Sequence, residues 1–210
     1  MMQFIENDTE ILLTFKSRLL ALLDKYRGLG ELVHPNGTIS IGKIPGKTQW
    51  FLFHLYTGLD NDEIRRLELA IGLVFPEQLR RFYRTFNGAS LFGAGQISLW
   101  GMRGEAPLDM PNYQPISFVS SHLGECQAMS NSPKGAIYFG EYFGAYRFYV
   151  ISGSDVVSVC KTPDPTPIEE WGNIELMIVD LTRRLLEWFG ESGEPVDSAV
   201  NEYPVLFEGT

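Results

Sequence analysis

Apolar residues near the start of the chain recur every three or four positions, which places them on one face of an α helix. The pattern predicts a helix over residues 8–27 that ends at Gly28. Asn7 fits its N-cap, and Glu10 completes a capping box. The stripe predicted to be buried consists of Ile11, Leu12, Phe15, Leu19, Leu23 and Tyr26. We therefore expect an amphipathic helix that packs on a hydrophobic core.

The spacing of apolar positions changes after this helix and predicts a β-hairpin. Thr38 to Ile44 and Gln49 to Tyr56 are rich in β-branched and aromatic residues, which favour strands. The turn-forming sequences Pro35-Asn36-Gly37 and Pro45-Gly46-Lys47 precede the two strands. A hairpin or meander is the simplest arrangement for two short strands joined in this way.

Two more helices are predicted in the middle of the chain. The first covers Asp62 to Ile71, with Asn61 as its N-cap and Gly72 as its end. The second begins at Pro76 and ends at Asn87-Gly88. Its inward side is predicted to hold Leu79, Phe82, Tyr83 and Phe86, and its outward side Arg80, Arg81 and Arg84.

Between residues 96 and 160 the sequence has the character of a run of strands. Ser152-Gly153-Ser154-Asp155 has the composition of a tight hairpin turn, and Met102 to Gln114 contains two prolines and is expected to be a loop. The predicted strands are Gln96 to Trp100, Pro115 to Val119, Ala136 to Gly140, Tyr146 to Ile151 and Val156 to Cys160.

A last helix is predicted from Pro167 to Phe189. Thr166 fits its N-cap, and Glu169 completes a capping box. Its buried stripe would contain Trp171, Ile174, Ile178, Leu181, Leu185 and either Trp188 or Phe189. Strands in one run with helices on either side indicate the α+β class. We expect a single domain with a mainly antiparallel twisted sheet flanked by helices.

The C-terminal residues 191–210 contain five acidic residues and no lysine or arginine. They read as an acidic tail, with one apolar segment at Tyr203 to Phe207. Three alternatives are open for this segment: it packs on its own domain, it is disordered, or it grips a partner.

The chain has 210 residues and a net charge of −9, with a sequence pI near 4.8. An acidic surface repels phosphates and anionic lipids, so nucleic-acid and membrane partners are not expected, whereas a basic protein partner is compatible. No apolar run is long enough to suggest a membrane span, and the N-terminus lacks a basic secretion signal. Cys126 and Cys160 are expected to be reduced thiols in a cytoplasmic protein.

No catalytic motif is recognisable. His34, His54 and His122 lack the spacing of a metal site, and no Gly-x-Ser-x-Gly sequence occurs. A cysteine nucleophile would need a neighbouring histidine as its base. The acidic pairs Asp62-Glu63 and Glu169-Glu170 fall in predicted first turns of helices, where the helix dipole explains them. The sequence thus predicts no enzyme, no cofactor and no metal.

The aromatic segment from Ile137 to Val150 is the most unusual part of the chain. Alternation along a strand predicts that Phe148 and Val150 point to one side and Arg147 and Tyr149 to the other. Exposed tyrosine beside arginine is typical of interface anchors, while a core position for most of these rings is the alternative.

The order of motifs resembles the SUKH superfamily of Smi/Knr-like domains. The stretch Glu63 to Ala89 is similar to the opening of that family, with a helix, a hydrophobic-Pro junction at Phe75-Pro76, a second helix and Asn87-Gly88. Leu99-Trp100-Gly101 and the segment Ala136 to Ile151 resemble later family elements.

The resemblance implies a helix and hairpin extension at 1–61, a SUKH-like domain at 62–190 and an acidic tail at 191–210. It further implies a non-enzymatic binding protein, and specifically a bacterial immunity protein that covers a toxin, for example a nuclease. The alternatives are a regulatory scaffold linked to cell-wall synthesis or signalling and a small-molecule hydrolase. The predicted contact residues are Trp100, Glu141, Tyr142, Tyr146, Arg147 and Asp155.

Overall fold

A computed structural model describes residues 15–46, 50–93, 96–104, 114–194 and 207. In this part of the chain, nine antiparallel strands form one sheet whose order in space is the order in sequence. The strands are β1 (Glu31–Val33), β2 (Ile39–Lys43), β3 (Phe51–Thr57), β4 (Phe86–Leu91), β5 (Ile97–Leu99), β6 (Ala136–Tyr142), β7 (Tyr146–Ile151), β8 (Val157–Lys161) and β9 (Asp164–Trp171). The helices are α1 (residues 15–23), α2 (Asn61–Ile71), α3 (Glu77–Thr85), α4 (Phe118–Ala128) and α5 (Ile174–Leu186). The α+β prediction is confirmed.

The two faces of the sheet differ in chemistry. Residues directly opposite each other on neighbouring strands point to the same side. One such row is apolar and buried, and its side is called the first face: Ile41, Phe53, Leu91, Ile97, Tyr142 and Tyr146. Helix α5 lies on this side, because Trp171 of β9 donates a hydrogen bond to Asp180. The opposite side, the second face, contacts α4.

The first helix ends later than predicted. Phe15, Leu19, Leu23 and Tyr26 are buried as expected. A 3-10 turn over Asp24–Leu29 extends the helix past Gly28, and Gly30 follows it with a positive φ of 131°. The predicted Asn7 cap, Glu10, Ile11 and Leu12 lie outside the described residues.

Helix α2 is present as predicted, but its cap lies one residue earlier. The Asp60 carboxylate accepts a hydrogen bond from the Glu63 backbone N–H, and the Glu63 carboxylate accepts one from the Asp60 N–H. The capping box therefore begins at Asp60, and Asn61 is the first helical residue.

Asn87-Gly88 does not end α3 directly. Helix α3 ends at Thr85, and both residues belong to β4. The Asn87 amide donates to the Met102 carbonyl at 2.7 Å and accepts from its N–H at 2.6 Å. Gly88 has a φ of 83°, and a Cβ atom there would lie 2.4 Å from the Leu99 carbonyl oxygen. The motif therefore holds β4 against the chain that follows β5.

Replacing Asn87 with alanine should lower the free energy of unfolding by about 1–2 kcal/mol, because two backbone groups of Met102 lose their partner. Urea denaturation measures this change. The matched control is Asn61→Ala, which removes an exposed amide that bonds Arg84 and should cost less than about 0.5 kcal/mol. Equal losses in the two variants would contradict this account of the motif.

Residues 115–119 were predicted as a strand, and this is wrong. Helix α4 begins at Phe118, where the Ser117 hydroxyl accepts from the Ser120 N–H. The buried residues of α4 are Phe118 and His122; Val119 and Leu123 are its other large apolar residues, and Leu123 is exposed. Such a helix gives little apolar periodicity, and the β-branched residues Ile116 and Val119 favoured the strand prediction.

The start of the last helix is also corrected. Asn173, whose side chain accepts from the Leu176 N–H, caps α5, and residues 164–171 form β9 instead. Pro165 and Pro167 fit there because β9 is an edge strand, which can lack donors on its free side. The Glu169 carboxylate bonds Arg184 of α5 rather than the N-terminus of a helix.

Candidate functional site

The β6–β7 hairpin brings together four of the six predicted contact residues. Glu141 lies opposite Arg147, and Tyr142 lies opposite Tyr146, next to the turn that ends at Ala145. Because successive side chains alternate, Glu141 and Arg147 are on the second face and the two tyrosines on the first. One hairpin therefore contributes to two separate clusters.

The cluster on the second face is a group of three charges in which Arg147 is buried and the two carboxylates are half-buried. Arg147 Nε lies 2.7 Å from Glu125 Oε1 of α4, and Arg147 Nη1 lies 3.4 Å from Glu141 Oε2. Nη1 also donates to the Gly144 carbonyl. The three side chains are 10%, 14% and 23% exposed for Arg147, Glu125 and Glu141. Burial raises the pKa of Glu141, and the Arg147 charge opposes that shift.

The cluster on the first face is an aromatic seat formed by Tyr142, Tyr146 and Trp171. Phe207 occupies it, with its ring centroid 5.6 Å from Tyr142, 5.1 Å from Tyr146 and 6.3 Å from Trp171. Phe207 is 8% exposed. At this residue the C-terminal segment packs on its own domain, which was one of three predicted alternatives; Tyr203 to Leu206 lie outside the described residues.

Trp100 and Asp155 are not part of this hairpin end. Trp100 is buried, and its backbone N–H donates to the Phe139 carbonyl. Asp155 is exposed in the β7–β8 turn, at the opposite end of β7.

That these six residues form the contact face stays a prediction, but the structure gives four of them little accessible surface. Trp100, Tyr142, Tyr146 and Arg147 are buried, since this part of the sheet is covered on both faces. Glu141 and Asp155 keep accessible surface. The alternative, in which most rings of the aromatic segment are core, describes the structure better.

A row of polar residues crosses the second face, which the sequence analysis missed. Its members lie opposite one another on successive strands: Ser40, His54, Ser90, Ser98, Glu141 and Arg147. They are far apart in sequence, so only the strand register brings them into one line. The row places hydrogen-bonding groups beside the buried charges of the hairpin.

One end of the polar row is a histidine–serine–histidine contact in which His34 and Ser40 are buried and His54 is half-buried. Ser40 Oγ lies 2.7 Å from His34 Nε2 and 2.8 Å from His54 Nδ1. Burial lowers the pKa of His54 to about 4, and the nearby His34 adds to the effect. Burial also lowers the pKa of His34. Ser40 is fully buried, so its hydroxyl is not placed to attack a substrate.

Helix α4 contains a cysteine next to a histidine. Cys126 Sγ lies 3.6 Å from His122 Nε2, and His122 Nδ1 accepts the Tyr138 backbone N–H. With Nδ1 accepting, a neutral imidazole carries its proton on Nε2 and cannot remove one from the thiol. Burial, followed by the Glu125 charge, raises the pKa of Cys126, the reverse of what a nucleophile needs.

In one surface cleft, two of the polar side chains already have structural partners. A cleft of about 350 Å³ is lined in part by Tyr56, Glu63, Asn87 and Met102. Within it, Glu63 caps α2 and Asn87 holds Met102. Among the residues that the structure covers, no group of three or more His, Cys, Asp or Glu side chains could bind a metal ion. None of the helices in those ranges is long and apolar enough to span a membrane.

Comparison with known families matches residues 58–182 to the SMI1 / KNR4 family (SUKH-1). The match covers more than half of the 210 residues, from the turn before α2 into α5. No curated protein matches the chain.

Proposed function

The chain belongs to the SMI1 / KNR4 family (SUKH-1), and from this membership we propose that it is an immunity protein that binds and covers a cognate toxin domain. SUKH domains are often immunity proteins and commonly bind protein partners. The toxin would be held in the cytoplasm of the cell that produces it. The protein would catalyse no reaction and would act by occupying the toxin's surface.

The observation that carries this proposal is the position of the net charge. Residues 164–210 contain 11 acidic and two basic residues, which accounts for the full charge of −9. Residues 1–163 contain 15 of each sign and have no net charge. The excess of negative charge is therefore confined to β9, α5 and the segment that follows them.

This concentration of charge suits a basic partner. A nuclease domain must attract the phosphates of its substrate, so its active-site cleft is expected to be positive. A protein with an excess of negative charge would associate with such a cleft faster than an uncharged protein, because opposite charges attract at long range. Occupying the cleft would then exclude the substrate without any chemical step.

Survival of cells that produce the toxin tests the proposal. We expect a gene for a toxin domain next to the gene for this chain. That toxin domain should arrest growth when expressed alone, and co-expression of this chain should restore growth. The two purified proteins should form a stable complex. Continued arrest despite normal amounts of folded immunity protein would reject the proposal.

Reversing three negative charges within residues 164–210 should slow association with the toxin by about tenfold or more at low salt. The variant is Glu187→Lys/Glu191→Lys/Glu194→Lys, which changes exposed residues and moves the net charge from −9 to −3. Stopped-flow or surface plasmon resonance measures the rate constant at several salt concentrations.

The matched control reverses three exposed charges outside this region and reaches the same net charge: Asp24→Lys/Asp62→Lys/Glu77→Lys. Its association rate should stay within about threefold of the parent's, because all charges of residues 164–210 are unchanged in this control. Equal slowing in both variants would show that total charge matters and that its position does not.

A further inference from the structure

Helix α4 covers part of the second face of the sheet but buries few apolar side chains. Of its 11 residues, Phe118 and His122 are buried, while Leu123 is 44% exposed. Met129, which follows the helix directly, is buried as well. Apolar packing therefore holds the two ends of this segment, whereas the part between them is held by a polar side chain.

The start of α4 is fixed by aromatic packing that does not involve the rest of the helix. The Phe118 ring centroid lies 5.4 Å from that of Phe75 and 5.8 Å from that of Tyr83. The Phe118 backbone N–H donates to the Gly101 carbonyl. These contacts can persist while the following turns of the helix change conformation.

Between its ends, α4 is attached to the sheet by polar contacts. His122 Nδ1 accepts the backbone N–H of Tyr138 in β6 at 3.2 Å. Glu125 Oε1 lies 2.7 Å from Arg147 Nε in β7. Water can replace these contacts when they break, so they oppose opening less strongly than buried apolar packing does.

The sequence of α4 gives the helix little stability of its own. Between Phe118 and Ala128 it contains two serines, a β-branched valine and a glycine, which are weaker helix formers than alanine. Gly124 lies in the helix interior, and a Cβ atom there would meet no other described residue within 4 Å. Packing therefore does not require a glycine, whose effect at this position is to destabilise the helix. A helix of this length is marginal in water without tertiary contacts.

We propose that α4 is a cover that unfolds locally between Phe118 and Met129 while the sheet stays folded. Opening breaks the contact between Glu125 and Arg147 and uncovers the Arg147 guanidinium together with the Glu141 carboxylate beside it. The second face then offers a charged surface that other molecules can reach. The inference goes beyond the proposed function and does not depend on it.

One amide of the sheet reports directly on this opening. The Tyr138 N–H donates to a side chain of α4, whereas β7 is paired on both sides, with β6 and β8. Hydrogen exchange of the full chain, followed residue by residue by NMR, compares the two. The amides of α4 and of Tyr138 should exchange together, about 100-fold or more faster than those of β7. Their rates should change little with small amounts of urea, because local opening exposes little surface.

Three variants separate local opening from unfolding of the whole domain. Gly124→Ala should slow exchange of the α4 and Tyr138 amides about fivefold, since alanine stabilises the helix. Glu125→Gln should speed exchange of the Tyr138 amide about tenfold, since a charge-assisted contact is lost. Asn87→Ala is the control: it weakens the domain outside α4, so it should speed exchange in β7 and leave the α4 and Tyr138 rates unchanged.

Equal exchange rates and equal urea dependence for α4 and β7 would overturn the inference, because α4 would then open only when the whole domain unfolds. Equal acceleration of both sets of amides in Asn87→Ala would have the same meaning. Slow exchange in α4 combined with fast exchange at Tyr138 would show that the helix detaches intact, which also rejects local unfolding. The urea series uses the parent chain, so it decides the question even where a variant fails to fold.

Discussion

Replacing Arg147 with methionine is expected to lower the free energy of unfolding by about 2–3 kcal/mol at pH 7, because the change leaves two half-buried carboxylates without their counter-charge. Glu125 and Glu141 both contact the guanidinium, and neither could be fully hydrated in place. The loss should become smaller at lower pH, since burial already raises the pKa of Glu141 and protonation would remove its charge. Urea denaturation at pH 7 and pH 5 measures both effects.

Two further variants separate the buried cluster from a general loss of positive charge. Arg183→Met removes an arginine that is exposed on α5 and should cost less than about 0.5 kcal/mol. Glu125→Gln/Glu141→Gln/Arg147→Met removes all three charges together and should recover most of the stability lost in Arg147→Met. A loss below about 1 kcal/mol in Arg147→Met would contradict the buried-cluster description.

The hairpin of β6 and β7 illustrates what the sequence could predict. Its strands, its turn and the alternation of Phe148 with Arg147 follow from a period of two. Whether the second face is also covered does not follow from that period. The cover is α4, whose helical pattern is weak, so Arg147 appeared to be exposed.

The start of the last helix was mispredicted because its local sequence signals were ambiguous. Thr166-Pro167-Ile168-Glu169 has the composition of a helix start, yet it lies on an edge strand. Proline suits both places, since neither the first turn of a helix nor the free side of an edge strand needs its N–H. The choice depends on pairing with β8, a contact that local sequence does not encode.

The polar row could not be predicted for a different reason. Ser40, His54 and Ser98 are each a single polar residue between two apolar neighbours in its own strand. Their alignment depends on the registers of successive strand pairs, one of which includes a β-bulge next to Leu55. A shift of one residue in any pair would send part of the row to the other face.

Lowering the pH from 7.5 to 5 is expected to remove about 2 kcal/mol of stability through His54 alone, and about 3 kcal/mol once the pH is below 4. Burial lowers the pKa of His54 to about 4 in the folded state, from an ordinary value of 6.5. Between pH 4 and pH 6.5, this histidine carries a proton in the unfolded chain but not in the folded chain, so acid favours unfolding.

The contact with Ser40 explains why the folded state resists this proton. A hydroxyl has one proton to donate, so one imidazole can accept from Ser40 while the other donates to it. Protonating the accepting ring would direct two donors at one buried oxygen and place a charge where solvent is scarce. His34 would add to the repulsion if it were charged at the same time.

His54→Asn isolates this group, because the asparagine oxygen can accept from Ser40 and does not titrate. The free energy of unfolding, measured by urea denaturation at pH 7.5 and pH 5, should fall by about 2 kcal/mol more in the parent than in this variant. His122, whose pKa burial also lowers, contributes equally to both proteins and cancels. If parent and variant lose the same stability between the two pH values, His54 is not held neutral by its surroundings, and the buried contact with Ser40 does not explain the acid sensitivity.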